Sequence, residues 1–260
     1  QGASLPALAP TTSRLLMNFV TYLLLAIAAV VVLTMPVFAI VARDRPVDSD
    51  VARRPTTILL GRWIRDWLMW LIAPIEGALV SLRISPDVLN FAGMFLGLLA
   101  GVALARGSLA MAGWLILLGG LCDIFDGRIA RALGLASPYG EFLDSMLDRF
   151  AETFVFIGLA AYFAPSTWAV MATVLALGAS LMVSYARAKG AVVGVDCRGG
   201  VMQRAERLGL LALAALLDAP LATLLDWRSG TVLLTAVGLI GVGALGTAVY
   251  RTWHIARALR

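Results

Sequence analysis

Four aspartates stand out in an otherwise apolar chain: Asp123, Asp126, Asp144 and Asp148. A charge at membrane depth costs at least ~2.5–3.5 kcal/mol, so four of them together need a chemical reason. On a helix, Asp123 and Asp126, three apart, share one face, and Asp144 and Asp148, four apart, share another. Between the pairs lie Gly127, Gly134, Pro138 and Gly140, enough turn chemistry to end one helix and begin the next. Two antiparallel helices joined there would aim four carboxylates at one point. Oxygen donors converging in this way suit a hard divalent cation, Mg2+ or Mn2+. The alternative is an architectural network in which Asp123 and Asp126 cap the helix or pair with Arg128 and Arg131. One such pair would be ordinary; four aspartates at this spacing, with two glycines and Arg131, would not.

The elements that must position these residues read as membrane helices. Of 260 residues, 60% are hydrophobic and 14% charged, against about 25% charged in a soluble domain, and the mean hydropathy is +0.89. The chain opens on Gln1 rather than Met, which suggests a trimmed or processed start, and residues 1–13 read as a poorly ordered tail. Leu15 to Ala42 is uncharged and apolar. It exceeds the roughly 7–15-residue apolar core of a signal peptide, so a transmembrane helix or signal anchor is expected. Residues 43–57 form a charged linker, and Ile58 to Leu82 combines Trp63, Trp67 and Trp70 with Arg62, Arg65, Asp66 and Glu76. That segment is too charged to span and suits the membrane surface. After Ile84-Ser85-Pro86-Asp87, apolar spans follow at about 88–105, 109–133, 139–163, 167–187, 206–225 and 230–252. Gly93, Gly97 and Gly101 in the first of these form a ladder that permits close helix packing.

The expected architecture is therefore an all-α integral membrane protein. It has a six-helix transmembrane core, an N-terminal interfacial amphipathic helix and one extra N-terminal transmembrane helix. Residues 1–57 would hold the tail, extra helix and linker; residues 58–260 would form the main domain, with the interfacial helix at 58–82 and the six spans at about 88–252. If the linker is cytoplasmic, alternating loops leave only Arg14, Arg106 and Arg228 outside, and the other 18 of 21 basic residues fall inside or at the inner boundary. That bias puts the N-terminus outside, the C-terminus inside and both ends of the aspartate stretch at the cytoplasmic face of the cell membrane. It also accounts for the net charge of +5, since no basic stripe interleaved with aromatics suggests nucleic acid. Cys122 and Cys197 fit neither a disulfide framework nor a zinc pattern and read as packed thiols. His254, between Trp253 and Ile255, reads as an interfacial side chain.

The residues Asp123, Asp126, Gly127, Ala130, Arg131, Gly140, Asp144 and Asp148 stand as D-x2-D-G-x2-A-R-x8-G-x3-D-x3-D, eight fixed positions over 26 residues. This pattern resembles the full signature of the CDP-alcohol phosphotransferase family, membrane enzymes that make phospholipids from CDP-linked lipids. The resemblance extends over roughly residues 58–255 and leaves the first 57 without a role. It departs at the cue before the first span, where Pro86-Asp87 stands for a proline-asparagine pair and Asn90 for the common Thr or Ser. The resemblance implies transfer of a phosphatidyl group from a CDP-diacylglycerol-type donor to a small alcohol, with release of CMP, in a homodimer. It implies metal at Asp123, Asp126, Asp144 and Asp148, in two ions of Mg2+ or Mn2+. It further implies Asp148 as the general base and Asp123, Gly127, Ala130, Arg131 and Gly140 at the CDP moiety. The residues are chemically suited to this: glycines let a nucleotide approach the backbone, an arginine forks onto phosphate, and paired metals stabilise a phosphate leaving group.

The acceptor is addressed by a second basic stretch. Ser184-Tyr185-Ala186-Arg187-Ala188-Lys189 closes one span, and Arg204-Ala205-Glu206-Arg207 opens the next, with Arg198 between them. These cations read either as positive-inside anchors alone or as a pocket for a phosphorylated acceptor. The pattern also resembles phosphatidylinositol-phosphate synthases, which implies acceptor-phosphate contacts at Arg187, Lys189, Arg204 and Arg207 and an inositol phosphate as first choice. Glycerol 3-phosphate would want a similar pocket; serine or free inositol would want less positive charge. Glu141 reads as a helix-start charge and Glu152 as a partner for an arginine on a neighbouring span. Two other classes fit less well. An ion relay would place its aspartates at mid-membrane in broken helices, and a non-catalytic relative would have lost part of the signature.

Overall fold

The computed structural model describes residues 26–27, 29–42, 45–48, 51, 61–197 and 199–260. The expected tail at 1–13, the first part of the apolar segment 15–42, most of the linker with its boundary at 57/58, the start of the interfacial helix and Arg198 lie outside the described residues. Among the described residues every regular element is a helix: α1 Ala29–Val41, α2 Arg62–Ser81, α3 Pro86–Ala105, α4 Leu109–Ala132, α5 Pro138–Tyr162, α6 Thr167–Val192, α7 Arg204–Leu224 and α8 Thr231–Ala258. They fall into two units. The first comprises residues 1–56 and 61–72, and the second residues 57–60 and 73–260. The division falls inside α2, beside Pro74, whose missing N–H removes one rung of the helix.

In the first unit, α1 packs on the tryptophan face of α2. Phe38 is fully buried, its ring 5.6 Å from that of Trp63 and 5.5 Å from that of Trp70. The indole N–H of Trp67 donates to Thr34 Oγ1 at 2.9 Å, so the polar atom of each of these two side chains is satisfied inside an apolar contact. The tryptophans expected at the membrane surface are thus partly covered by the chain's own preceding helix. The N–H of Asp48 donates to the buried Asp66 at 2.9 Å.

In the second unit, the turns follow directly from the residues. Pro86 opens α3 at the position where a missing N–H is harmless. Gly134, in the left-handed region at φ 67°, closes α4: its N–H donates to the Arg131 carbonyl, and that of Leu135 to Ala130. This is a Schellman closure, which β-carbon-bearing residues make with strain. Three residues later Ser137 caps α5, accepting from Gly140 N–H at 3.2 Å, with Pro138 as the first helical residue and Glu141 in the first turn. The reversal brings α4 and α5 together near the aspartates. At the far end of α7, the fully buried Asp218 accepts from the N–H groups of Gly230 and Leu233 at 2.6 and 3.1 Å and so caps α8.

Five of these helices, α3, α4, α6, α7 and α8, are long and apolar enough to cross a membrane. The sixth expected span, α5, has 25 residues, about 37 Å at ~1.5 Å per residue. Its first 15 residues carry Glu141, Asp144, Asp148, Arg149 and Glu152, so it is long enough but not apolar throughout. Helix α3 packs on α4 and α5, α4 on α7, α5 on α6, and α8 on α6 and α7. One continuous core joins Leu104, Ile116, Phe156, Leu159, Leu211, Leu233 and Ile240. The glycine ladder of α3 works at two of these contacts. A β-carbon at Gly97 would lie 2.7 Å from that of Ala151 on α5, and Gly101 meets the backbone of Phe154 and Gly158 still more closely. Gly93 faces Gly119 and Cys122 on α4. Small residues let the backbones touch where Leu would hold them apart.

Candidate active site

Close packing of α3 against both α4 and α5 sets the distance between the aspartate-bearing faces. Carboxylate oxygens of Asp123, Asp126 and Asp144 all lie within 4.8 Å of one another. Asp126 is 5% exposed; its Oδ1 accepts from the N–H of Gly127, and its Oδ2 is buried without a hydrogen-bond partner. Asp144 Oδ1 is likewise buried and unpartnered. Anionic oxygens crowded together with lone pairs unmet are unfavourable unless a cation is bound. Asp123, Asp126 and Asp144 therefore fit a hard divalent metal by donor type, approach and unmet coordination.

Asp148, one turn along α5, is drawn into the same site by α7. Arg204, the first residue of that helix, places Nη1 2.8 Å from Asp123 Oδ1 and Nη2 2.7 Å from Asp148 Oδ1. The guanidinium thus bridges the two helices, and its Nε is buried without a partner. One turn further along both helices, Arg207 Nε and Nη2 donate to the two oxygens of Glu152 at 2.9 and 3.2 Å, and Nη1 donates to the Met202 carbonyl at 3.2 Å. Both side chains of this pair are 1% exposed. A pocket opens between α3, α4, α5 and α7, lined by Asn90, Gly93, Asp123, Asp126, Asp148 and Arg204 among others.

The four cations grouped in sequence occupy different surroundings. Arg204 stands in the carboxylate site rather than apart from it. Arg207 is 1% exposed and engaged by Glu152 and the Met202 carbonyl. Arg187 and Lys189 are exposed at the end of α6, where the Lys189 ammonium lies 5.9 Å from the centre of the Tyr185 ring. Gly127, Ala130 and Gly140 are half-buried, and Arg131 is exposed at the end of α4. A β-carbon at Gly127 would meet only Arg131 of its own helix, at 3.3 Å, which leaves room beside this backbone for a ligand. Arg128 pairs with Glu76 at 2.7 Å. The link between Arg204 and the two aspartates had one signal in the sequence, its three-residue spacing from Arg207. That spacing placed both on one face but named no partner.

Residues 83–251 match the family model described as CDP-alcohol phosphatidyltransferase. A phosphatidylinositol phosphate synthase of Cutibacterium acnes is 37% identical over 147 residues, 55% of this chain and 70% of that protein. The crystal structure of the Mycobacterium tuberculosis phosphatidylinositol phosphate synthase with CDP-DAG bound superposes with a TM-score of 0.60 at 25% identity, covering 70% of this chain and 92% of that one. The same enzyme in complex with manganese and citrate gives 0.62 at 26% identity, covering 70% and 87%.

Proposed function

We propose that this chain, which belongs to the CDP-alcohol phosphatidyltransferase family, transfers a phosphatidyl group from CDP-diacylglycerol to an inositol phosphate and releases CMP. The observation that carries this reading is the convergence of Asp123, Asp126 and Asp144 within 4.8 Å, with Asp148 tied to the same cluster by Arg204. Asp123, Asp126, Asp144 and Asp148 would hold two ions of Mg2+ or Mn2+. Bound there, the metal supplies charge neutralisation on the diphosphate.

The chain's own residues do the rest. Gly127 and Gly140 leave the backbone open to the nucleotide, with Ala130 beside it and Arg131 at its phosphates. Asp148 accepts the proton of the acceptor hydroxyl. The oxygen so released forms a bond to the lipid-bearing phosphorus as the bond from that phosphorus to the CMP oxygen breaks. The proton leaves Asp148 to solvent. Arg204 holds Asp148 in place through its 2.7 Å contact and offers positive charge to the acceptor phosphate, with Arg187 and Lys189 nearer the cytoplasm. The homology to phosphatidylinositol phosphate synthases supports this acceptor over glycerol 3-phosphate.

In this reading α5 crosses the cell membrane as the sixth core span, its charged half at the cytoplasmic rim and shielded by α3, α4 and α7. The N-terminus lies outside, the C-terminus inside, α2 runs along the inner surface, and the enzyme acts as a homodimer. The distribution of arginine supports this orientation. The experiment is direct: purified protein, CDP-diacylglycerol, Mg2+ or Mn2+, and separately an inositol phosphate, glycerol 3-phosphate, inositol or serine. CMP release with the inositol phosphate is the expected result. Release with glycerol 3-phosphate alone would change the acceptor, and release with none would sink the reaction.

A further inference from the structure

Glu76 is the largely covered residue of an otherwise exposed stretch of α2. Ala73, Pro74, Ile75, Gly77 and Ala78 are all exposed, whereas the side chains of Glu76 and its partner Arg128 on α4 are 17% and 15% exposed. Arg128 Nε donates to Glu76 Oε2 at 2.7 Å. Among the described residues, α2 from Ala73 to Ser81 packs extensively on no other helix of its unit, so apolar burial does not fix this stretch. A carboxylate on a surface helix would ordinarily stay in water. This one has given up most of its water for a charge-assisted bond to α4.

A second fixed point closes the same stretch. The Arg83 N–H donates to the Val80 carbonyl at 3.0 Å and the Ile84 N–H to that of Leu79 at 3.1 Å, with Arg83 left-handed at φ 51°. This is a Schellman closure, made here by a residue that carries a β-carbon. Pro86 then opens α3, and one turn in, the buried Leu89 and Asn90 line the pocket together with Asp123 and Asp126. Arg128 stands directly after Gly127 and two residues after Asp126. The end of α2 therefore joins two walls of the pocket from outside: its closure leads into the Asn90 wall, and Glu76 grips the Asp126 wall. A turn deeper, Gly93 of α3 faces Gly119 of α4. A brace at the mouth keeps the two walls from splaying about that contact.

We propose that Glu76 is a positioning residue for the donor half of the site. Through Arg128 it braces the Asp126–Gly127 turn of α4 against the start of α3 and sets the width of the opening that receives the CDP group. The donor part rests on the function proposed above; the brace itself does not. Arg187, Lys189 and Arg204, on the acceptor side in that reading, belong to α6 and α7, which the brace does not join.

The test uses the full chain in detergent micelles and compares the parent protein with Glu76→Gln, Glu76→Asp and the swapped pair Glu76→Arg with Arg128→Glu. Hydrogen–deuterium exchange follows peptides covering residues 74–85, and CMP release at varied donor and acceptor gives kcat and both KM values. In Glu76→Gln, amide exchange over these residues is expected to speed up about fivefold and the CDP-diacylglycerol KM to rise about fivefold, with kcat and the acceptor KM within about twofold. Aspartate, charged but shorter, gives a smaller version of both effects, and the swapped pair returns both toward the parent. Should the glutamine variant not fold, the aspartate variant carries the same expectation at smaller size. Unchanged amide exchange in a folded variant overturns the brace. Faster exchange with an unchanged donor KM, or with an equal rise in the acceptor KM, overturns the positioning of the donor half. A swapped pair that restores amide protection but not the donor KM overturns it as well, because Arg128 would then meet the donor itself. If the parent releases CMP with no acceptor, the proposed function falls while amide exchange still decides the brace.

Discussion

Arg204 reaches Asp148 at 2.7 Å across the gap between α7 and α5, while its other terminal nitrogen holds Asp123 on α4 at 2.8 Å. One positive charge therefore sits inside the carboxylate cluster that a divalent cation would join. The two cations would repel, and the same arginine lines the pocket in which the proposed acceptor would sit. Arg204→Gln should tighten Mn2+ binding in the absence of substrate by about threefold or more, and raise the acceptor KM by about tenfold or more. Isothermal titration with Mn2+ and steady-state kinetics measure the two effects independently. Weaker Mn2+ binding in the variant would mean that the arginine supports the cluster rather than competing with its metal.

Asp148 is the carboxylate of this site that the guanidinium orients without its belonging to the closest group of three. Asp148→Asn keeps the shape but removes the proposed proton acceptor. We expect kcat for CMP release to fall by about 10²–10⁴-fold. Mn2+ affinity should change far less than in Asp126→Asn, because Asp123, Asp126 and Asp144 remain. Equal losses of metal binding in the two variants would reassign Asp148 as a principal ligand.

The buried, unpartnered oxygens of Asp126 and Asp144 predict a stability effect that needs no turnover. Metal at about 100 times its Kd should stabilise the folded protein by ~2.7 kcal/mol and raise the thermal midpoint, and EDTA should reverse the rise. Asp126→Asn removes one of the crowded charges. Its midpoint without metal should match or exceed that of the parent, and the increase on adding metal should largely vanish. Differential scanning fluorimetry with and without Mn2+ makes the comparison.

The helices and their reversals were legible because hydropathy and turn chemistry agreed. Gly134 and Pro138 mark the α4–α5 reversal, whereas Gly127 and Gly140, counted with them as turn residues, lie inside the helices. Where the apolar runs ended early, at 187 and 252, the helices continue to Val192 and Ala258. Hydropathy stops at the membrane edge, whereas alanine, arginine and lysine continue a helix into water. The aspartate cluster was legible for the same local reason, its spacing on two faces. The division of labour among the arginines was not. Arg204 and Arg207 share a face, and only the approach of α5 determines that Glu152 takes one and Asp148 the other. Asp218, read simply as part of a span, gave no sign of its role, because the helix end that it caps lies 12 residues further on, at Gly230.

Gly97 offers a test of how the site is held from behind. Its missing side chain lets α3 touch α5 at Ala151, three residues beyond Asp148. Gly97→Val should destabilise the protein by ~1–3 kcal/mol through overpacking and lower metal affinity, because α5 must move relative to α4. Gly178→Val, at a helix position with open space beside it, is the control and should leave Mn2+ binding unchanged. Equal effects of the two substitutions would separate site geometry from the close contact of α3 and α5.

The Glu152–Arg207 pair, 1% exposed on both sides and joined at 2.9 and 3.2 Å, is the site's buried floor. Removing one member leaves the other charge without its partner in a region that water does not reach. Glu152→Gln or Arg207→Met should therefore destabilise the fold by ~3–5 kcal/mol, whereas the double replacement by apolar residues should recover much of that loss. Double-mutant analysis of thermal midpoints gives the coupling. The kinetic outcome separates floor from site: if the pair serves only as a floor, Glu152→Leu with Arg207→Met should retain acceptor KM within about threefold, provided that Arg204 stays in place. A rise in acceptor KM as large as that of Arg204→Gln would place Arg207 in the acceptor pocket.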